Sequence, residues 1–279
     1  MSMRIGLTVF LTDRTIDPVT LAIEAESRGF HSLYFPEHTH IPISRVTAPP
    51  TGDEELDEEY KRTLDPLIAI AASAAATSTL MLGTGVSLVA QHDPIVMAKS
   101  LATLDLISGG RVTLGIGFGW NQDEMLDHGV QYVTRRDRAR EHVLAMQRLW
   151  EDDEAEFDGE FVRFAASWSW PKPRDGHIRA LIGGGAGPKM FAHVAEYADG
   201  WFPIGGAGVR NALPQLHEAW AAAGRTGEPE VVPFGVLADA SKLDYYDGLG
   251  CSEVVLRVDG AGRDETLRQL DQLQLLLAR

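Results

Sequence analysis

One pattern repeats along this chain: a short β-branched or apolar run, then a segment with the 3.6-residue period of a helix. Strands are read at residues 4–10, 32–36, 80–89, 111–118, 179–183, 200–204, 231–238 and 253–258. Helical patterns follow at 18–28, 66–77, 94–107, 135–150, 188–198, 209–223, 241–249 and 264–278. Asp17-Pro18, Asp65-Pro66 and Asp93-Pro94 each set an N-cap acceptor before a proline at the first helical position. Gly29, Gly109 and Gly224 stand where a left-handed residue ends a helix. Strands joined through helices pair in parallel and are covered on their outer face. Eight such units without an evident linker favour a closed (β/α)8 barrel, one domain over 279 residues, in the α/β class. An open doubly wound sheet would offer a dominant Gly-rich turn after its first strand, and FLTDRTIDP contains no glycine.

Two segments interrupt the repeat. Residues 39–64, after the second strand, contain Pro42, Pro49, Pro50, Gly52 and the acidic run DEELDEE. Loops beyond about 12–15 residues serve mainly as lids or binding loops, so this insertion is read as a lid. The acidic run, with no His or Asn at ligand spacing, is read as a solvated helix turn. Residues 155–164, AEFDGEFVRF, are read as a small hairpin before the fifth strand with Asp158-Gly159 as a two-residue turn, followed by SWSWPKP.

A formal charge of −15 argues against nucleic acid and anionic membrane surfaces, both of which require clustered Lys and Arg. Cys251 is the only cysteine, which rules out an intramolecular disulfide and fits a packing role at the start of a core strand. No apolar run approaches the roughly 18 residues of a membrane span, and no secretory signal is evident, so a cytoplasmic location is expected.

In a barrel, chemistry gathers just past the strand C-termini. Those positions hold Glu37, His38 and His40 after strand two, and Gly83, Gly85, Val86 and Ser87 in strand three with Gln91 and His92 beyond it. Strand four leads to Gly119, Trp120, Asn121 and Glu124, strand five to Gly183, Gly184, Gly185, Ala186 and Gly187, and strand six to Gly205 and Gly206. The GGGAGP run leaves backbone N–H groups open at a helix start, an anion site by geometry and dipole, or alternatively a tight βα turn. His38 is placed to act as general acid or base, or to be a hydrogen-bonded structural histidine. Glu37 could pair with it or accept from a cofactor N–H. Glu124 is either a first-turn helix residue or a rim acid. No G-x-S-x-G elbow, H-E-x-x-H motif or Cys/His cluster is present. His38 and His40 could begin a binuclear metal site only with further His and Asp at later strand ends, which are mostly glycine. Glu124 and Asp239 fit a glycosidase carboxylate pair only loosely.

The segments MRIGLTVF, GFHSLYFPEHTH, the run from RTLDPLIAIAA through GTGVSLVAQHDPIVMAKSLATLDLISGGRVTLGIGFGW, and IGGGAGPKMFAHVAEYADGW resemble the bacterial luciferase-like flavin enzymes over essentially the whole chain. The nearest likeness is the actinobacterial branch that uses the deazaflavin coenzyme F420. The resemblance implies that Glu37 and His38 stand beside the cofactor ring, with His38 as acid/base; Glu124 is a further catalytic candidate by its position alone. It implies a non-proline cis bond at Gly85-Val86 behind the ring, with Ser87 next to it. It implies cofactor contacts at Gly119, Trp120, Gly184 and Gly185; Asn121, Gly183 and Gly187 are cofactor-binding candidates by their place past the strand ends. Hydride transfer between F420 and an unidentified small organic substrate follows; with FMN in the same barrel, a monooxygenase is the alternative, and a non-catalytic flavin carrier a remote one. No metal is implied, and a homodimer is. Arg45, Lys61 or Arg62 on the lid could meet the acidic cofactor tail, and Trp168, Trp170 and Trp201 could shape the substrate pocket.

Overall fold

A computed structural model describes residues 3–48 and 55–278. Pro49, Pro50, Gly52 and the first two residues of the acidic run lie outside the described residues. The parallel strands are β1 (Arg4–Thr8), β2 (Ser32–Phe35), β3 (Met81–Thr84), β4 (Val112–Ile116), β7 (Arg179–Gly183), β8 (Gly200–Phe202), β9 (Glu230–Val231), β10 (Phe234–Val236) and β11 (Glu253–Arg257). An antiparallel pair, β5 (Ala155–Asp158) and β6 (Arg163–Ser167), stands apart from them. The helices are α1 (Pro18–Ser27), α2 (Pro66–Ala76), α3 (Pro94–Ser108), α4 (Gln122–Asp127), α5 (Arg135–Glu151), α6 (Pro188–Tyr197), α7 (Val209–Ala222), α8 (Ala240–Asp247) and α9 (Arg263–Gln274).

The nine parallel strands form one sheet in the order β10-β11-β1-β2-β3-β4-β7-β8-β9. Its two end strands are consecutive in the chain, separated by Val232 and Pro233. The 231–238 strand read from sequence breaks there because Pro233 has no N–H to give. Hydrogen bonds nevertheless run along both flanks of this segment. Val232 N–H donates to Trp201 O (3.0 Å) and Phe234 N–H to Pro203 O (3.0 Å), while Val255 N–H donates to Pro233 O (2.8 Å). The sheet therefore curls until its ends share one stretch of chain.

Parity then sorts the side chains into two cores. Inside the curl, Tyr34, Leu181, Phe202, Val232, Phe234 and Val255 pack together with Val86. Outside, the alternate residues meet the helices; fully buried Trp201, for instance, packs edge-on against Phe191 of α6. The floor of the interior is ionic: the Arg179 guanidinium donates to Glu230 (2.7 and 2.9 Å), Glu253 (3.3 Å) and the Tyr34 hydroxyl (3.1 Å). Wholly buried Glu253 also accepts from Ser32 Oγ.

The helix punctuation acts as the residues suggest. Asp17, Asp65 and Asp93 accept from the backbone N–H groups of Thr20, Ile68, and Ile95 with Val96. Gly109 closes α3 at φ +74°. The third strand is shorter than the sequence indicates, because the chain leaves the sheet at the cis Gly85-Val86 peptide and regains it only through Ser87 beside Ile116. The hairpin turn also differs. Asp158 pairs with Arg163 in the ladder, so the turn is the four residues 159–162, and the Glu141 carboxylate accepts from N–H groups of Glu160, Phe161 and Val162. Cys251 is buried, and burial pushes its thiol up to about 12, as suits packing. Among the described residues no helix is long and apolar enough to cross a membrane.

Candidate active site

A cavity of about 640 Å³ opens at the C-terminal ends of the parallel strands, a size suited to a cofactor. Glu37, His38, Gly85, Val86, Gly119, Trp120, Gly183, Gly184 and Gly185 line it. Ser87, Asn121, Glu124 and Gly187 do not; the first three lie in the layer behind.

The two acidic candidates hold two different histidines. Glu124 is wholly buried, its Oε2 2.7 Å from His38 Nδ1 and its Oε1 accepting from Thr39 N–H (3.2 Å). An ionised carboxylate only accepts, so the hydrogen belongs on Nδ1, leaving His38 Nε2 to exchange a proton. Glu124 thus stands behind His38 and not on the cavity rim. It stands on α4, a helix of six residues, too short to show a period in sequence. Asn121 is buried as its N-cap, Oδ1 accepting from Asp123 and Glu124 N–H (3.2 and 3.4 Å), instead of facing the cavity. The same helix tethers the start of the insertion, since Asp123 Oδ2 accepts from Val46 and Thr47 N–H (3.1 and 3.3 Å).

Glu37 does not pair with His38. Its carboxylate accepts from Ser87 Oγ (2.6 Å), Leu88 N–H (2.6 Å) and His92 Nε2 (2.7 Å). Burial pushes its pKa up, but the hydrogen bond and charge of His92, then Ser87 and Leu88, hold it below the usual carboxylate range. Burial likewise opposes the charge on His92, and Glu37 outweighs it, so the His92 pKa is raised. The pair anchors the 84–88 bulge from behind.

That bulge makes a shelf. A Cβ on Gly117 would lie 2.4 Å from Val86 Cγ2, one on Gly183 would lie 2.9 Å from Val86 Cγ1, and one on Gly85 would lie 2.4 Å from Phe234 Cζ. These glycines let Val86 and Phe234 nest as an apolar surface. Gly185 differs: its Cβ would meet nothing within 4 Å, so its backbone faces open space beside the start of α6. Apolar shelf and open glycine backbone together fit a flat ring with a phosphorylated tail.

Several wall residues were not read from the sequence. Tyr60 packs beside the histidine: His38, Tyr60 and Trp120 make mutual ring contacts at 5.3, 5.8 and 6.0 Å between centroids, and Phe10 lies 5.0 Å from Tyr60. Arg135, Arg136, Met190, Ile204 and Phe234 are also part of the wall. The basic run RRDRAR in so acidic a chain was the available signal for the two arginines. The tryptophans proposed for the pocket lie elsewhere. Trp201 faces the helices, its Nε1–H donating to Gly184 O (2.9 Å), and Trp168 and Trp170 are exposed next to the hairpin. None of Arg45, Lys61 and Arg62 lines the cavity; Lys61 pairs with Glu58, and Arg62 with Asp13 and Glu58.

Residues 14–242 match the family model described as luciferase-like monooxygenase. An uncharacterised protein of Mycobacterium tuberculosis is 45% identical over 279 residues, 99% of each chain. An F420-dependent glucose-6-phosphate dehydrogenase of Mycolicibacterium fortuitum is 30% identical over 227 residues, 75% of this chain and 60% of its own length. The solved structure of an F420-dependent secondary alcohol dehydrogenase in complex with an F420-acetone adduct superposes with TM-score 0.78 at 18% identity, covering 99% of this chain and 98% of that one. By the match across most of its length, this chain belongs to the luciferase-like monooxygenase family.

Proposed function

We propose that the protein is an F420-dependent oxidoreductase that moves a hydride between the deazaflavin and a small organic substrate, in a closed eight-unit barrel. Ring closure is supported by the hydrogen bonds on both flanks of residues 230–236. The observation that carries the chemistry is His38, lining the cavity while wholly buried Glu124 holds its Nδ1 at 2.7 Å. A non-catalytic carrier requires no such buried acid behind a cavity histidine.

When bound, the deazaflavin supplies a two-electron hydride donor or acceptor. Val86 and Phe234 would hold the ring against their apolar shelf and leave the rest of the cavity to substrate. His38 Nε2 takes the hydroxyl proton when an alcohol is oxidised, or returns it when a carbonyl is reduced. Tyr60, Trp120 and Phe10 exclude water beside that nitrogen and favour a compact, partly apolar substrate. The 30% identity to the F420-dependent dehydrogenase supports this cofactor, and the family's monooxygenase description supports FMN as the alternative. Fluorescence titration separates them. Much tighter binding of F420 than of FMN is expected, and the reverse ranking gives the site to an FMN-dependent monooxygenase.

A further inference from the structure

Two cations at the start of α5 stand where elementary electrostatics disfavours them. Arg135 and Arg136 open a 17-residue helix, where the free N–H groups favour anions over cations. The two charges are adjacent; burial and then the Arg136 charge push the Arg135 pKa down. The chain carries 40 acidic residues against 25 Lys and Arg, yet among the described residues neither guanidinium has a carboxylate oxygen within 4.0 Å. Arg135 lies 3.5 Å above the Tyr132 ring and donates from Nη1 to Tyr132 O (2.7 Å), while its buried Nε has no acceptor among the described residues. Arg136 lies 4.7 Å from the Phe118 ring centre. Both side chains line the 640 Å³ cavity.

Their place within the cavity is set by the aromatic contacts. Phe118, under Arg136, touches His193 of α6 (5.2 Å between centroids), and after burial the Arg136 charge is the next influence lowering the His193 pKa. Arg136 therefore stands beside α6, the helix that begins directly after Gly185 and Gly187. His38, Tyr60 and Trp120 form a separate set of ring contacts. The ring contacts thus group Arg136 with α6, the helix that follows the glycine run, and not with the His38 cluster.

We propose that Arg135 and Arg136 grip the phosphate of the cofactor tail, closing on it from α5 while the backbone around Gly185 meets it from the start of α6. An anion there would neutralise two adjacent charges and suit the helix field. The assignment rests on the reading of the cavity as a deazaflavin site, and goes beyond it by naming side chains that distinguish a phosphorylated from an unphosphorylated ring.

The test compares F420 with the same deazaflavin ring and ribityl chain lacking phosphate, by fluorescence titration of wild type, Arg136→Gln, Arg136→Lys and the double Arg135→Gln/Arg136→Gln variant. The double variant should bind F420 at least tenfold more weakly and the unphosphorylated ligand within twofold of wild type. Arg136→Lys should recover part of the loss, and apo melting temperatures should stay level or rise. Equal loss for both ligands, undiminished F420 affinity, or a clear fall in apo melting temperature overturns the assignment. So does weakened binding of glucose 6-phosphate with F420 affinity intact, which would give the anion to the substrate. If wild type binds neither deazaflavin, the functional reading fails, and inorganic pyrophosphate then decides this one alone. Thermal stabilisation of wild type but not of the double variant supports it; equal behaviour overturns it.

Discussion

Replacing Glu124 with glutamine keeps the shape of a wholly buried side chain and removes its charge. The carboxylate now serves two donors at once, His38 at 2.7 Å and Thr39 N–H at 3.2 Å. An amide offers one acceptor and one donor, so it cannot serve both. If its oxygen turns to His38, its NH2 faces the Thr39 N–H. If its NH2 turns to His38, Nδ1 must accept, the hydrogen moves to Nε2, and the cavity loses its base. Leaving a buried donor unsatisfied costs about 1–3 kcal/mol, a fall in melting temperature of roughly 2–5 °C for a protein of this size. A hydrogen bond to a charged group contributes about 1.5–3 kcal/mol, so if that interaction is maintained in the transition state, turnover falls roughly ten- to a hundredfold. F420 affinity should remain within twofold, because Glu124 does not reach the cavity wall. The assay pairs thermal melts and cofactor titration with single-turnover hydride transfer, using a substrate found by screening small alcohols and carbonyl compounds. Lowered stability with undiminished turnover would refute the positioning role; unchanged values of both would refute the buried hydrogen bond itself.

Two further outcomes follow from the layer behind the cavity and from its open edge. The depressed Glu37 pKa contributes stability that is present above its unfolded value near 4.5 and lost on acidification, whereas the raised His92 pKa contributes stability complete below 6.5 and lost as pH rises through its folded value. His92→Phe should therefore melt furthest below wild type between about pH 4.5 and 6.5, with the gap narrowing at alkaline pH; a gap that widens with pH contradicts the pairing. Gly185→Asp has room for its side chain and should leave the apo melting temperature within about 2 °C while weakening F420 binding at least tenfold by charge repulsion at the phosphate. Full affinity in that variant would move the phosphate elsewhere. Gly184 is the poorer test position, because its φ is +141° and a Cβ there would stand 2.6 Å from Met190 Cε, so a side chain would disturb the backbone first.

Local chemistry wrote much of this protein's architecture into its chain. Asp-Pro caps, helix-ending glycines and alternating apolar periods act over a few residues, and they located the strands and long helices, apart from the third strand, cut short at Thr84, and the 231–238 segment, split at Pro233. They also brought Glu37, His38, Val86, Gly119, Trp120 and Gly183 to the same strand ends. What they could not supply was partnership. Glu37 and His38 are neighbours in sequence, yet each answers a carboxylate or imidazole from another unit: His92 lies 55 positions from Glu37, and Glu124 lies 86 from His38. α4 is too short for a period, Arg135 and Arg136 look like any solvated helix start, and Trp201 looks like a pocket aromatic until its neighbours show which side it faces. Sequence alone determined the order of the strands and helices and which chemical groups follow each strand, because propensities and caps are short-range. The tertiary structure decided which groups touch, which face the cavity and which carboxylate holds which histidine, because those contacts exist only once the sheet has curled.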